Sequence, residues 1–148
     1  MRKHIAPILL TVTLALTASM AWAQAKDALY KSLGGKKAIT AVVDLFVGNV
    51  AADTKINSFF AADVKDPKKL AHFKMELVNQ ICEAAGGPCK YTGKSMKDAH
   101  AGMGIAGGDF DALVGDLVAA LDKAGVKPAD KMALLGVLGP MKSDIVTK

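Results

Sequence analysis

The stretch Lys94-Ser95-Met96-Lys97-Asp98-Ala99-His100-Ala101-Gly102-Met103-Gly104-Ile105 puts one of the chain's three histidines at the end of a short helical run, with two glycines close behind it. Met96 and His100 are four residues apart, so both side chains leave the same face of that run. Gly102 and Gly104 relieve crowding just beyond the imidazole. The local sequence offers the ring nothing to act on, so its partner has to come from elsewhere in the fold.

Apolar residues recur at helical spacing on both sides of this stretch. Downstream, in "GGDFDALVGDLVAALDKAG", Asp109 is the expected N-cap, the stripe is Phe110, Leu113, Val114, Leu117, Val118 and Leu121, and Gly125 is the terminator. The last segment, 128–146, is expected to turn Met132, Leu135, Leu138, Met141 and Ile145 inward and to kink at Gly139-Pro140. Upstream, Asp66-Pro67 starts and Gly86-Gly87 stops a long helix carrying Leu70, Phe73, Leu77, Val78, Ile81 and Ala85 on one side. His72, Glu76, Asn79 and Glu83 fall on its polar side. Before it, "DTKINSFF" reads as a turn that Asp53 can cap and Phe59-Phe60 close. Earlier still, Gly34-Gly35 break the chain ahead of a helix over 36–52, with Ile39, Val42, Val43, Phe46, Val47 and Val50 at core spacing. Four substantial helices and two short ones make an all-α domain, with no convincing strand and no repeat.

The chain has 148 residues, room for one domain, and its first 25 are a different kind of sequence. Met1-Arg2-Lys3-His4, the uncharged run "IAPILLTVTLALTASMAWAQA" and the small-x-small site Ala21-Trp22-Ala23 have the three-part layout of a secretory signal peptide. The expectation is a leader over 1–23, cleaved before a domain of residues 24–148; a retained membrane anchor is the alternative. Losing Arg2 and Lys3 lowers the formal charge from +5 to +3 and leaves lysine as the only strong base. With no arginine for bidentate contacts and scattered lysines, nucleic-acid binding is not expected. The expected location is the bacterial periplasm, with no membrane association after cleavage. There a disulfide is the default for the two cysteines, Cys82 and Cys89 in "ICEAAGGPC", with free thiols or metal ligation as alternatives.

Hydrolytic constellations are missing. The cleaved chain keeps His72 and His100 and has no Gly-x-Ser-x-Gly, His-Glu-x-x-His or Cys-x-x-Cys. Haem iron asks for less: one neutral imidazole and an apolar slot. The Phe59-Phe60 pair, Leu77, Ile81, Met103 and Phe110 can supply such a slot around His100. The plainer alternative is a histidine that caps a helix C-terminus through its charge.

"LYKSLGG", "VVDLFVGNV", the "SFF" turn, the double glycine with "YTG", "MKDAHAGMGI" and "FDALVGDLVAALDKAGV" stand in an order that resembles the group I truncated haemoglobins, from Asp27 onward. The resemblance implies a truncated globin-like two-over-two helical sandwich holding haem b, with His100 as the proximal iron ligand. It implies a slot lined from the helices by Phe46, Phe73, Leu77, Ile81, Phe110 and Leu113, and from the connections by Phe60, Met96, Met103 and Ile105. The second ring nitrogen of His100 is then expected to donate to a carbonyl of its own short helix.

The sequence also departs from that family. Where members commonly carry a tyrosine after the phenylalanine of the second helix, this chain has Phe46-Val47. A distal pocket of Val47, Phe73, Leu77 and Ile81 gives a gas ligand no hydrogen bond, so easy oxygen loss and relatively better CO binding are expected. Gln80 is the one candidate donor. The turn before the long helix is longer than usual, so His72 is a candidate sixth ligand. The resulting expectation is reversible binding of O₂, CO or NO rather than catalysis. Rivals are a nitric-oxide dioxygenase or peroxidase needing an external electron donor, a bis-histidine electron-transfer protein, and a haem-free helical module.

Overall fold

In the computed structural model, which describes residues 27–148, a short helix α1 (Ala28–Ser32) leads through Gly34-Gly35 into α2 (Gly35–Ala52). The expected leader, 1–23, lies outside the described residues. All six predicted apolar positions of α2, from Ile39 to Val50, are buried. Burying a side chain of this kind contributes about 1.5–3 kcal/mol before chain entropy is subtracted. Such a stripe is wide enough to pack on two neighbours, and α2 packs against both α4 (Pro67–Ala84) and α6 (Gly107–Lys123).

The connection after α2 is more ordered than the sequence suggested. Asp53 Oδ1 accepts the Lys55 N–H at 2.9 Å, and a 3₁₀ turn, Asn57–Phe60, runs straight into the short α3 (Ala61–Val64). Helix α4 begins as expected: Asp66 Oδ1 accepts from the backbone of Lys68 at 2.9 Å and Lys69 at 3.3 Å, and Pro67 occupies the first turn where no N–H is needed. It stops at the double glycine, where a Cβ on Gly87 would lie 2.7 Å from Cys82 Sγ and 2.5 Å from the Tyr30 ring. That close approach lets Cys82 and Cys89 join in a disulfide with their α-carbons 5.7 Å apart, which excludes free thiols and metal ligation by this pair.

Two expectations fail in the C-terminal half. Helix α6 starts two residues before Asp109, with Ala106 as N-cap; Asp109 sits at the third position and accepts the Ala106 N–H at 2.9 Å. Alanine has no side-chain acceptor, so the carboxylate caps from inside the helix. In helix α7 (Pro128–Leu138) Met132 is 72% exposed and Leu134 is fully buried in its place, while Leu135 and Leu138 pack on the core and Met141 and Ile145 turn inward as expected. Apolar residues surround this helix almost evenly, so spacing alone did not choose its buried side. The kink is where Pro140 puts it, as a 3₁₀ turn (Gly139–Met141) before α8 (Lys142–Ile145).

Helix α2 thus sits between α4 and α6, and the α7–α8 arm closes the fold through contacts of α7 with α4 and of α8 with α6. The short α5 (Met96–His100) packs against α8. A second apolar cluster of Ile105, Phe110 and Ile145 anchors the C-terminus, whose Thr147 N–H donates to Ile105 O at 2.9 Å. Among the described residues no helix is long and apolar enough to cross a membrane.

Candidate functional site

Helix α5 is a single turn and depends on its ends. Ser95 Oγ accepts the Asp98 N–H at 3.1 Å and donates to Asp98 Oδ2 at 2.7 Å, an N-terminal cap. At the other end Ala101 leaves helical geometry, and Gly102 and Gly104 take left-handed φ of 74° and 66°. His100 is therefore the last helical residue, with no following turn over its ring. Its Nδ1 lies 2.7 Å from Met96 O. A carbonyl can only accept, so Nδ1 carries a proton, and in the neutral ring Nε2 then keeps a free lone pair. The expected tautomer-fixing bond is present.

His100 lines a cavity of about 350 Å³. One wall is Phe46 of α2 with Leu113, Val114 and Leu117 of α6; another is Phe73, Leu77 and Ile81 of α4. Phe59 and Phe60 close one end, while Met96, Met103, Phe110 and Met141 crowd the imidazole side. Of the residues predicted from sequence, Phe46, Phe60, Phe73, Leu77, Gln80, Ile81, Met96, His100, Met103, Phe110 and Leu113 all meet here.

Three predicted positions lie elsewhere. Val47 is one residue, hence 100° of helix, past Phe46, and it is buried in the main core rather than on the cavity. Ile105 packs in the C-terminal cluster and borders only a smaller neighbouring pocket. His72 is exposed on α4 and is not part of the cavity wall, because α4 is regular through this point and holds it on the outer side of the Phe73–Leu77 stripe.

Sequence reasoning missed what the polar side of α4 does. Glu76 is buried, and it accepts from Thr92 twice, N–H to Oε2 at 2.9 Å and Oγ1–H to Oε1 at 2.7 Å. Those bonds, the Thr92 N–H foremost, hold its carboxyl below the usual carboxylate range, and the charge of His72 adds to the effect. Glu83 accepts the Tyr91 N–H at 3.0 Å and Lys90 Nζ at 2.9 Å, which lower its pKa in the same way. Tyr91 lines the cavity and donates its hydroxyl to Lys94 O at 2.8 Å; burial, helped by the Glu76 charge, raises its pKa. Gln80 points its amide at sulfur, with Nε2 3.2 Å from Met96 Sδ and 3.4 Å from Met141 Sδ.

The donor set decides what kind of metal group this site suits. A bare ion asks for three or four protein ligands. Among the described residues no group of three or more His, Cys, Asp or Glu is placed to hold one. A lone neutral imidazole on an apolar cavity fits instead a planar group that brings its own equatorial nitrogens.

The family of bacterial-like globins matches residues 28–147. The group 1 truncated haemoglobin of Synechocystis is 41% identical over 109 residues, covering 71% of this chain and 83% of its own. That of Mycolicibacterium paratuberculosis is 34% identical over 119 residues, covering 80% and 84%. The chain belongs to the group 1 truncated haemoglobins. The crystal structure of truncated haemoglobin from Tetrahymena pyriformis in its Fe(III) form superposes with a TM-score of 0.73 at 32% identity, over 81% of this chain and 98% of that one. The two-over-two sandwich of these globins is thus the fold here, and the cavity walled by α2, α4, α5 and α6 is the interior of a truncated globin.

Proposed function

We propose that this truncated haemoglobin binds haem b through His100 Nε2 and holds a diatomic gas, O₂, CO or NO, reversibly on the opposite face. The observation that carries the reading is the 2.7 Å bond from Nδ1 to Met96 O, which leaves the other imidazole nitrogen unprotonated at the wall of an apolar cavity. When bound, the haem would supply the iron that His100 holds and the gas binds. The rest belongs to the chain. Phe46, Phe73, Leu77 and Ile81 exclude water and offer a ligand no hydrogen bond; the Gln80 amide faces thioethers. Oxygen is then expected to leave quickly and CO to be favoured.

Binding is favoured over turnover by the placement of proton donors. Tyr91 has its hydroxyl proton on Lys94 O, and His72, the other imidazole, is exposed away from the cavity. Export to the periplasm, with cleavage after residue 23 and a mature domain of 24–148, belongs to the same proposal. Its supports are the leader pattern and a disulfide that suits an oxidising compartment.

The test is spectroscopic. Processed protein offered hemin is expected to develop a Soret band that His100→Ala loses and His72→Ala keeps. A wild-type protein that stays colourless, or a His100→Ala variant that colours normally, defeats the reading.

A further inference from the structure

Glu76 is the buried charged side chain among the described residues, 7% exposed, and it stands on the cavity wall where gas binding gives it no task. A buried carboxylate is tolerated only when its oxygens are bonded. Here both are, and both to Thr92, one through its backbone and one through its hydroxyl. Two bonds in different directions fix a residue's orientation as well as its distance. Thr92 lies just before Ser95, the cap of α5, and Met96, whose carbonyl holds His100 Nδ1.

The hold is repeated along the same helix. Gln80, one turn on, reaches Met96 Sδ, and Glu83, about two turns on, holds Tyr91 and Lys90. The short α5 has its own Ser95 cap and packs on α8, but one turn of helix is unstable alone and two left-handed glycines follow it, so its position depends on what holds the segment before it.

We infer that Glu76 is a positioning residue for the proximal imidazole: from the helix on the far side of the cavity, its twofold grip on Thr92 sets where α5 begins and hence where His100 presents Nε2. The inference rests on the haem ligation proposed above. A carboxylate grips hardest: a carboxamide can still accept the Thr92 N–H, but it must reverse the other bond, donating to the hydroxyl oxygen, and it loses the charge that strengthens both.

The experiment compares hemin-loaded wild type with Glu76→Gln, Glu76→Asp and, at an exposed position of the same helix, Lys68→Ala. In the ferrous proteins Glu76→Gln is expected to shift and broaden the iron–histidine stretching band. It is also expected to speed hemin transfer to apomyoglobin about tenfold, the size seen when a ligand's supporting bond is lost. Glu76→Asp keeps both acceptors on a shorter stem and is expected to fall between; Lys68→Ala should match wild type. An unaltered band with transfer unchanged in Glu76→Gln overturns the inference. If wild type takes up no hemin, the haem reading falls separately, and amide exchange still decides the grip. Faster exchange from Thr92 through His100 in Glu76→Gln supports it, and unchanged exchange rejects it.

Discussion

Where α2 faces α6, Phe46, Leu117 and Leu121 meet through apolar packing, and the side-chain hydrogen bond joining the two is Asn49 Nδ2 to Asp116 O at 3.0 Å. Where α4 faces α5, the connection is directional: Glu76, Gln80, Glu83 and the Cys82–Cys89 bridge all reach into the segment between them. The contrast follows from length. An 18-residue helix such as α2 carries a continuous stripe, and non-directional burial locates it well. A five-residue helix has no such stripe; beyond the packing of Met96 on the C-terminal cluster, hydrogen bonds and a covalent link add to its locating. The globin thus builds its slot by packing and aims its histidine by bonds.

The largest test of that division acts on the packed side. Leu121 is 1% exposed at the α2–α6 contact. Leu121→Ala is expected to cost about 2–5 kcal/mol in urea unfolding, as deletions from tight cores do. The iron–histidine band of whatever remains folded should stay where it is in wild type. A band that moves with this distant cavity would mean that packing, too, aims the imidazole.

A smaller effect is expected on the bonded side. Opening the seven-residue link in Cys82→Ser/Cys89→Ser should destabilise the protein by about 2–3 kcal/mol on the loop-entropy estimate. Thr92 keeps both its bonds to Glu76, so hemin loss should rise less than in Glu76→Gln. Equal or greater loss would move the aiming function from the carboxylate to the disulfide.

How far each side was legible in the sequence follows the same contrast. Periodicity located every buried residue of α2 and the Phe73–Leu77–Ile81 wall, because packing leaves its mark as spacing. It misjudged α7, where Met132 and Leu134 are both apolar and only tertiary contact separates them. His100 stood out through its solitude and its glycines, and only the family resemblance gave it a role as iron ligand. Glu76 and Glu83 were read as solvent-facing, since a helix pattern cannot show that a loop of later residues folds back over its polar side. Asp109 was placed as a cap from its residue type, whereas the helix had started two residues earlier on a residue with no capping side chain. The signal that could have found Glu76 is its partner: a threonine in the short connection after a disulfide ring that returns the chain to α4.

The smallest expected effect is on acid stability, and it separates the two sides by sign. Glu76 and Glu83 are held below the ordinary carboxylate range by Thr92 and by Tyr91 with Lys90. Each therefore adds stability in full above that range and loses it as pH falls from the ordinary value through the depressed native one. His72 and Tyr91 are the other titratable groups facing Glu76; Tyr91, raised by burial, stays neutral throughout this window. On the packed side, burial raises the pKa of Asp116, and the charge of Asp53 adds to this. Protonating it as pH falls through its raised native value favours folding, the opposite sign. Urea midpoints measured from pH 7 down to about pH 3 should fall for wild type, fall less for Glu76→Gln, and fall more for Asp116→Asn, which lacks the compensating gain. Parallel curves for all three proteins would show that these carboxyls titrate alike in the folded and unfolded chain, and the bonded side would lose its electrostatic distinction from the packed one.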